Sequence, residues 1–356
     1  MRHEFIYRSF YLERNFRQIL ASYSSGIQSR IGRSIGLQDG GLISLALIKS
    51  GFGELLDHSK MDILNLHWVQ GEMLSLGEIK GLNTPLIMTL HDPWITSGMG
   101  HYSVSHNNLA HKKFLELLDN FLKHRKKFLD QKILKFLTPS RWLADYCIER
   151  GFDANKFTVL RNPLNLSIFR PLDKNNLRAK YGISDSANVI YLSALTSLSD
   201  TRKGFDLALS ITESIRKEVP NLEVISAGSK SLHFDSSIRW LGNFKSEVEI
   251  AELYSLADIT LLPSRIDNLP QVMTESLSCG TPVAAFAVGG IPEIVNANNG
   301  FIARPYCVQE ISEGVSEILS QPKKFDSLKI SQDSVALWDP HDIRDSYKKI
   351  LFEIIR

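Results

Sequence analysis

The chain has 356 residues, of which 43% are hydrophobic and 22% charged, and its formal net charge is +2. That length supports one large core or two ordinary ones, and that composition excludes a disordered or low-complexity chain. A balance this close to neutral gives no reason to expect a nucleic acid partner, although the first half is mildly basic and the rest mildly acidic.

Cys147, Cys279 and Cys307 are odd in number and far apart, which suits a reducing compartment and argues against a disulfide framework or a zinc site. No apolar run approaches the length of a membrane span, and MRHEFIYRSFYLER carries charges where a signal peptide needs an apolar core. The expected location is the cytoplasm.

The first forty residues carry weak signals: 6–12 read equally as a strand or a helical turn, and 22–41 as loop. A clearer pattern begins at Met61. DILNLHW (62–68) is a short apolar strand, 73–79 a helical stretch, and TPLIMTLHD (84–92) a second strand ending in polar residues. Strand, helix and strand in this order form the unit of a parallel sheet, whose polar strand ends are where such folds place chemistry. From 111 to 136 apolar residues recur three and four apart, at Phe114, Leu117, Leu118, Phe121, Leu122, Phe128, Leu129 and Ile133, with lysines and arginines between them. That spacing predicts one or two amphipathic helices. In FLTPSRWLADYCIERG a strand should end at Thr138, and Ser140 should cap a helix closed by Gly151. KFTVLRNPLN adds a further short strand.

The irregular, proline-bearing NLSIFRPLD (165–173) predicts a change of domain. It divides the chain into a first domain, 1–167, and a second, 168–340. The second alternates strands NVIYLSAL, NLEVISAG, SIRWLGNF, ADITLLPS and TPVAAFAVGG with helices over 205–219, 247–255 and 272–278. This is the pattern of a doubly wound α/β domain. A last helix, 343–355 within the terminal segment 341–356, is expected to cross back and brace the first domain.

The segment PSRIDNLPQVMTESLSCGTPVAAFAVGGIPE is the most informative. Asp267 lies in a loop after a strand, and Glu275 eight residues on lies on the next helix. A helix starting near Pro270 offers free N–H groups to a phosphate, and carboxylates on either side could accept from sugar or ribose hydroxyls. The plain alternative is an Asp in a polar loop and a Glu on an exposed helical face. Gly289 and Gly290 read by themselves as the end of a strand.

The same segment resembles the donor-site signature of the retaining GT-B glycosyltransferases of family four, in which two carboxylates flank seven residues: Asp267, NLPQVMT, Glu275, followed by SLSCGTPV. The first carboxylate is usually Glu; Asp267 is one methylene shorter. The resemblance implies two Rossmann-like domains facing across a cleft, and a nucleoside diphosphate sugar, UDP-sugar or GDP-sugar, as donor with no further cofactor or metal. It implies catalytic roles for His91, Lys203 and Asp267. TRKG is similar to the family's phosphate signature, with Lys203 against the diphosphate. The family's earlier Arg is absent from SALTSLSD (193–200), so Arg202 or Arg265 would have to substitute. LGNF resembles the loop that receives the base at Asn243 and Phe244. Ser264 would line the base pocket, Glu275 would hold the ribose, and the N–H groups from Leu269 through Pro270, Gln271 and Val272 to Met273 would face the distal phosphate, with Asn268 also a donor-binding residue.

In the first half, NLHWVQGEMLSLGEI and TLHDPWITSGMGHY resemble the acceptor-side domain of polysaccharide-assembling members. His91 would face the donor sugar, and His67, Trp68, Asp92 and Trp94 would line the acceptor side; a tryptophan there more often anchors a loop. His67, His91, His101, His106 and His111 have no spacing of a tight metal motif, and no carboxylate lies near His101 and His106 in sequence. The resemblance covers roughly 61–356. The family's early glycine-rich turn has no counterpart before Asp62, and the pair Gly40, Gly41 follows no strand. The expected acceptor is a hydroxyl on a glycan or lipid-linked oligosaccharide. The apolar face of the basic stretch 111–137 is expected to pack on the first domain with its charges solvated; the alternative is contact with an anionic membrane at the inner face of the plasma membrane. Two other readings remain: a nucleotide-sugar or glycan binding protein derived from such an enzyme, and a nucleotide-sugar epimerase of similar build.

Overall fold

The computed structural model describes residues 24–28, 30, 43–57, 61–102, 112–192, 200–228, 237–244 and 246–355. The expectations for 6–12, Gly40, Gly41, His106, His111 and 193–199 lie outside them.

Two parallel sheets form the frame. The first holds β1 (Leu64–His67), β2 (Leu86–Thr89), β3 (Ile133–Thr138) and β4 (Phe157–Val159) in that order. Around them run α1 (Phe52–Asp57), α2 (Leu76–Gly81), α3 (Lys112–Lys126), α4 (Phe128–Lys132) and α5 (Arg141–Ile148). Parallel strands need crossovers, and covered strands on both faces read as unbroken apolar runs. LIMT of β2 is accordingly buried throughout.

The second sheet holds β5 (Asn188–Leu192), β6 (Leu222–Ser226), β7 (Ile238–Trp240), β8 (Ile259–Leu262), β9 (Val283–Phe286) and β10 (Gly300–Ala303). Its spatial order is β10-β9-β8-β5-β6-β7, every pair parallel. The order reverses between β5 and β8, and ligands of such sheets bind outside the carboxyl ends of the strands at that point. Helices α6 (Lys174–Tyr181), α7 (Phe205–Arg216), α8 (Glu247–Leu256), α9 (Gln271–Ser278), α10 (Val308–Ser320) and α11 (Ser327–Trp338) cover its two faces, closing one core around Val189, Tyr254 and Met273 and another around Ile190, Ile211 and Phe286.

The chain returns through α12 (Pro340–Ile355). Ile350 and Leu351 bury against Ile87 and Leu137 of the first sheet, and the Tyr347 hydroxyl accepts from Asn65 at 3.0 Å. α6, α10, α11 and β10 were not anticipated from the sequence.

Residues 111–136 form two helices, but α3 turns a different face inward from the one expected. Leu115, Asp119, Leu122 and Lys126 are buried, whereas Phe114, Leu117 and Phe121 are 64%, 70% and 56% exposed. The segment 44–50 forms no strand; buried Glu72 fixes it by accepting from the N–H groups of Ala46, Leu47 and Ile48.

Candidate functional site

A cavity of about 830 Å³ opens where the carboxyl ends of both sheets converge. The first sheet contributes His67 from the end of β1, His91 after β2, Pro139 after β3, and Asn162 with Pro163 after β4. Opposite them stand Tyr191 on β5, Gly228 after β6, Asn243 and Phe244 after β7, and Pro263 with Ser264 after β8. Lys203 and residues 267–272 with Glu275 complete the wall.

Asp267 is half-buried and pairs with Lys203, whose Nζ lies 2.7 Å from Oδ2. Lys203 reaches this point because the turn Thr201–Lys203 ends at Gly204 with φ +66. A Cβ there would lie 2.0 Å from the Pro263 carbonyl oxygen, so β8 and the start of α7 can approach only through a glycine. The Asp267 loop has its own glycine support. At Gly289, φ is +59 and a Cβ would sit 1.6 Å from the Asp267 carbonyl oxygen. Gly290 donates its N–H to the Asn268 carbonyl at 2.8 Å. The glycine pair is the bed on which this loop lies, not merely a strand end.

The first two N–H groups of α9, on Gln271 and Val272, have no intrahelical acceptor, and among the described residues no side chain caps them. This end of the helix is at the cavity wall and favours negative charge there. Two expectations for this stretch are corrected. Pro270 has no N–H to offer, and Met273 donates its own to Pro270 at 3.0 Å.

Glu275 is not on an exposed helical face: one oxygen accepts from the buried Tyr254 hydroxyl at 2.8 Å. Burial raises the Glu275 pKa, and the Tyr254 hydrogen bond works against that rise. Sequence reasoning missed Tyr254, although LYSLAD places it one turn from the end of a helix leading into β8. The Ser264 hydroxyl is buried on the cavity wall without a partner among the described residues, so it retains hydrogen-bonding capacity for a ligand.

On the other wall, His67 Nδ1 lies 3.2 Å from His91 Nε2. Burial and the neighbouring His91 depress the His67 pKa to about 4; burial also lowers that of His91. Both rings are therefore neutral near pH 7, and one donates its ring N–H to the other.

Other expected residues lie elsewhere. Arg202 forms a two-point pair with Asp200 and lies over the Tyr102 ring, 4.9 Å from its centre, and it does not line the cavity. Arg265 is held by Asp206 in the same two-point manner. Neither side chain lines the cavity in this structure. Trp94 is fully buried: its Nε1 donates to the Ser44 carbonyl at 3.2 Å, with Lys126 Nζ 4.0 Å from its ring centre. Lys126 also donates to the carbonyls of Trp94, Ser97 and Gly98, so this tryptophan anchors a loop. Asp92 is buried and engages His101 Nδ1 at 2.6 Å and the Trp94 N–H at 2.9 Å, which supplies the carboxylate that His101 lacks in sequence. Trp68 is 45% exposed beside His101 and off the cavity wall. The Asn268 side chain is occupied by the first sheet's loops, donating to the His91 carbonyl at 3.0 Å and accepting from the Ser140 hydroxyl at 2.5 Å.

Residues 173–331, which carry Lys203, Asp267, Glu275 and the start of α9, match the family described as Glycosyl transferases group 1. The match covers 159 of the 356 residues, a little under half of the chain. Across 209 residues the chain is 23% identical to a D-inositol 3-phosphate glycosyltransferase of Segniliparus rotundus, covering 52% of this chain and 45% of that protein. Across 188 residues it is 30% identical to a GDP-mannose-dependent monoacylated alpha-(1-6)-phosphatidylinositol monomannoside mannosyltransferase of Corynebacterium glutamicum, covering 48% and 46%. The chain thus spans about half the length of these curated relatives. Beyond the matched segment the likeness is one of fold. HepE of Anabaena, solved in complex with UDP-glucose, superposes with a TM-score of 0.67 at 16% identity, covering 85% of this chain and 82% of that one. The two parallel sheets therefore form a GT-B-like fold.

Proposed function

We propose that the protein is a retaining glycosyltransferase that moves a hexose-type sugar from a UDP-sugar or GDP-sugar to a hydroxyl on a glycan or lipid-linked oligosaccharide. The observation that carries the reading is one wall that gathers Lys203, Asp267, the free start of α9 and Glu275 around a cavity of about 830 Å³. Lys203 and the helix terminus supply the positive field for a departing diphosphate, so the bond from the anomeric carbon to the diphosphate oxygen breaks with its electron pair on that oxygen, which takes the acceptor hydroxyl's proton as the new bond to the acceptor oxygen forms. Glu275, oriented by Tyr254, accepts from the ribose hydroxyls. Asn243, Phe244 and Ser264 surround the base, and Asp267 accepts from a sugar hydroxyl. His91 faces the sugar from the other sheet, where the acceptor hydroxyl would be aligned on the face from which the diphosphate leaves. Residues 1–167 with the returning helix 341–356 form the acceptor-side domain in this reading, and 168–340 the donor domain.

The relative named as GDP-mannose-dependent supports a donor of this class. No described helix is long and apolar enough to cross a membrane. The exposed Phe114, Leu117 and Phe121 beside Lys112 and Lys113 give α3 an apolar stripe with basic neighbours, which favours peripheral contact with an anionic surface.

Calorimetric titration with UDP, GDP and ADP, followed by the sugar forms of whichever binds, tests the reading. Selective binding lost in Lys203→Ala and Glu275→Ala is expected. Absence of binding by all three nucleotides would overturn it. Binding without nucleotide release in the presence of acceptors would favour a binding protein, and an isomeric sugar formed without acceptor would favour an epimerase.

A further inference from the structure

Among the described residues, Glu293 and Asn268 make polar attachments between the halves of the molecule beside the cavity. Helix α5 begins with three N–H groups that need acceptors from outside the helix, and only one is met locally, by Ser140 Oγ accepting from Leu143 at 3.1 Å. The other two cross to the second half. Glu293 Oε2 accepts from Arg141 at 2.9 Å and Oε1 from Trp142 at 2.7 Å, so a carboxylate after β9 caps a helix after β3. The charge complements the positive end of the helix, and each bond is charge-assisted. Asn268 makes the second attachment through Ser140 Oγ and the His91 carbonyl. Gly290 lies between the two. Its φ is an ordinary −86, but a Cβ would lie 2.7 Å from the Ser140 Cβ and 2.1 Å from the Asn268 carbonyl oxygen. The interface has closed to a separation that only a glycine permits.

We propose that Glu293 and Asn268 are positioning residues that clasp the two halves together and fix His91 opposite Lys203 and Asp267. Asn268 is adjacent to Asp267 and its amide holds the backbone of His91, so the clasp connects the facing groups of the two walls through one side chain. Glu293 prevents rotation about that point by fixing the axis of α5. This inference rests on the proposed transfer reaction only for its kinetic consequence; the clasp itself is a statement about the geometry of the chain.

The test labels Glu149→Cys and Leu328→Cys, one exposed site in each half, with spin probes in a Cys307→Ser background and reads their distance by pulsed electron resonance. The parent should show a single narrow distance. Glu293→Ala, Asn268→Ala and Gly290→Ala should each lose that peak in favour of a broad, longer distribution, and Glu293→Gln, which keeps one acceptor oxygen, should fall between. An unchanged distribution in correctly folded Glu293→Ala and Asn268→Ala overturns the clasp. Near-ultraviolet circular dichroism identifies a variant that has failed to fold. In parallel, Glu293→Ala should bind UDP or GDP within about threefold of the parent while kcat falls about a hundredfold, the scale expected from a misplacement of about 1 Å. Equal losses of nucleotide affinity and turnover would count against positioning. If the parent binds no nucleotide, the functional reading fails while the distance measurement still decides the clasp.

Discussion

Lys203 Nζ and Asp267 Oδ2 lie 2.7 Å apart on the cavity wall, so the cation proposed for the diphosphate and the carboxylate proposed for the sugar are each other's partner. Binding a donor must separate them. Asp267→Asn removes the competitor for Lys203, so UDP or GDP should bind as tightly or up to about fivefold tighter, because a half-exposed pair is worth at most ~1 kcal/mol. Transfer should nevertheless fall about a hundredfold as a stabilising contact at the sugar is lost. Calorimetry and turnover on the same preparations check both; weaker nucleotide binding in this variant would contradict the exchange of partners.

Tyr254→Phe isolates the orientation of Glu275. Loss of the hydroxyl leaves a half-buried carboxylate with one fewer donor, and nucleoside binding should weaken about five- to tenfold, the scale of one ordinary hydrogen bond. Burial already raises the Glu275 pKa and Tyr254 opposes that rise, so the variant should lose binding at a higher pH than the parent as acid is added. Nucleotide affinity measured across a pH series separates this from a loss of packing, which would lower affinity equally at every pH.

His67 gives the fold a predictable acid limb. Its pKa falls from 6.5 to about 4 in the folded chain, so the unfolded chain binds the proton more readily. The contribution of the neutral ring to stability is complete above pH 6.5 and is lost progressively as pH falls to about 4. His91, lowered by burial, adds to the same decline. Urea midpoints for the parent should drop over this interval, and His67→Asn should flatten the slope; a parallel slope in the variant would exclude His67 as its source.

Gly289→Ala probes the bed under the Asp267 loop. With φ at +59 and the Asp267 carbonyl oxygen 1.6 Å from the added Cβ, both backbone conformation and space oppose the change. Stability should fall by about 2 kcal/mol or more, combining the left-handed penalty with displacement of the loop. Donor-nucleotide affinity should fall with it. Denaturant unfolding of a variant as stable as the parent would show that the loop can retreat without cost.

Most of the second sheet was legible because its physics is local. Strands buried on both faces must be runs such as IYL, ITLL and VAAF, and helices between them keep an apolar face, so each pattern survives in a single sequence. The Ser140 cap was legible for the same reason, since the hydroxyl serves a backbone group three residues on. α3 was read with the wrong face inward because Lys126 and Asp119 are polar. Periodicity assigns such residues to solvent and cannot register the three carbonyls that surround the Lys126 ammonium.

Asp267, Glu275 and Lys203 stand out in the chain because each lies in a short motif that resembles a family signature, and all three line the cavity. Their partners do not stand out. Tyr254 meets Glu275, Asn268 meets His91 and Ser140, and Glu293 meets α5 only after separate strands have been brought side by side, across sequence separations of up to 177 residues. Arg202 and Trp94 show the same division in reverse: each stood at a position suited to the site, and each was claimed by a nearer partner, Asp200 in one case and the Ser44 carbonyl with Lys126 in the other. Residue type and spacing determine which elements form and which groups arrive near a strand end. Which of those groups face the cavity depends on competition among polar partners at distances of about 3 Å, and only the assembled fold sets those distances.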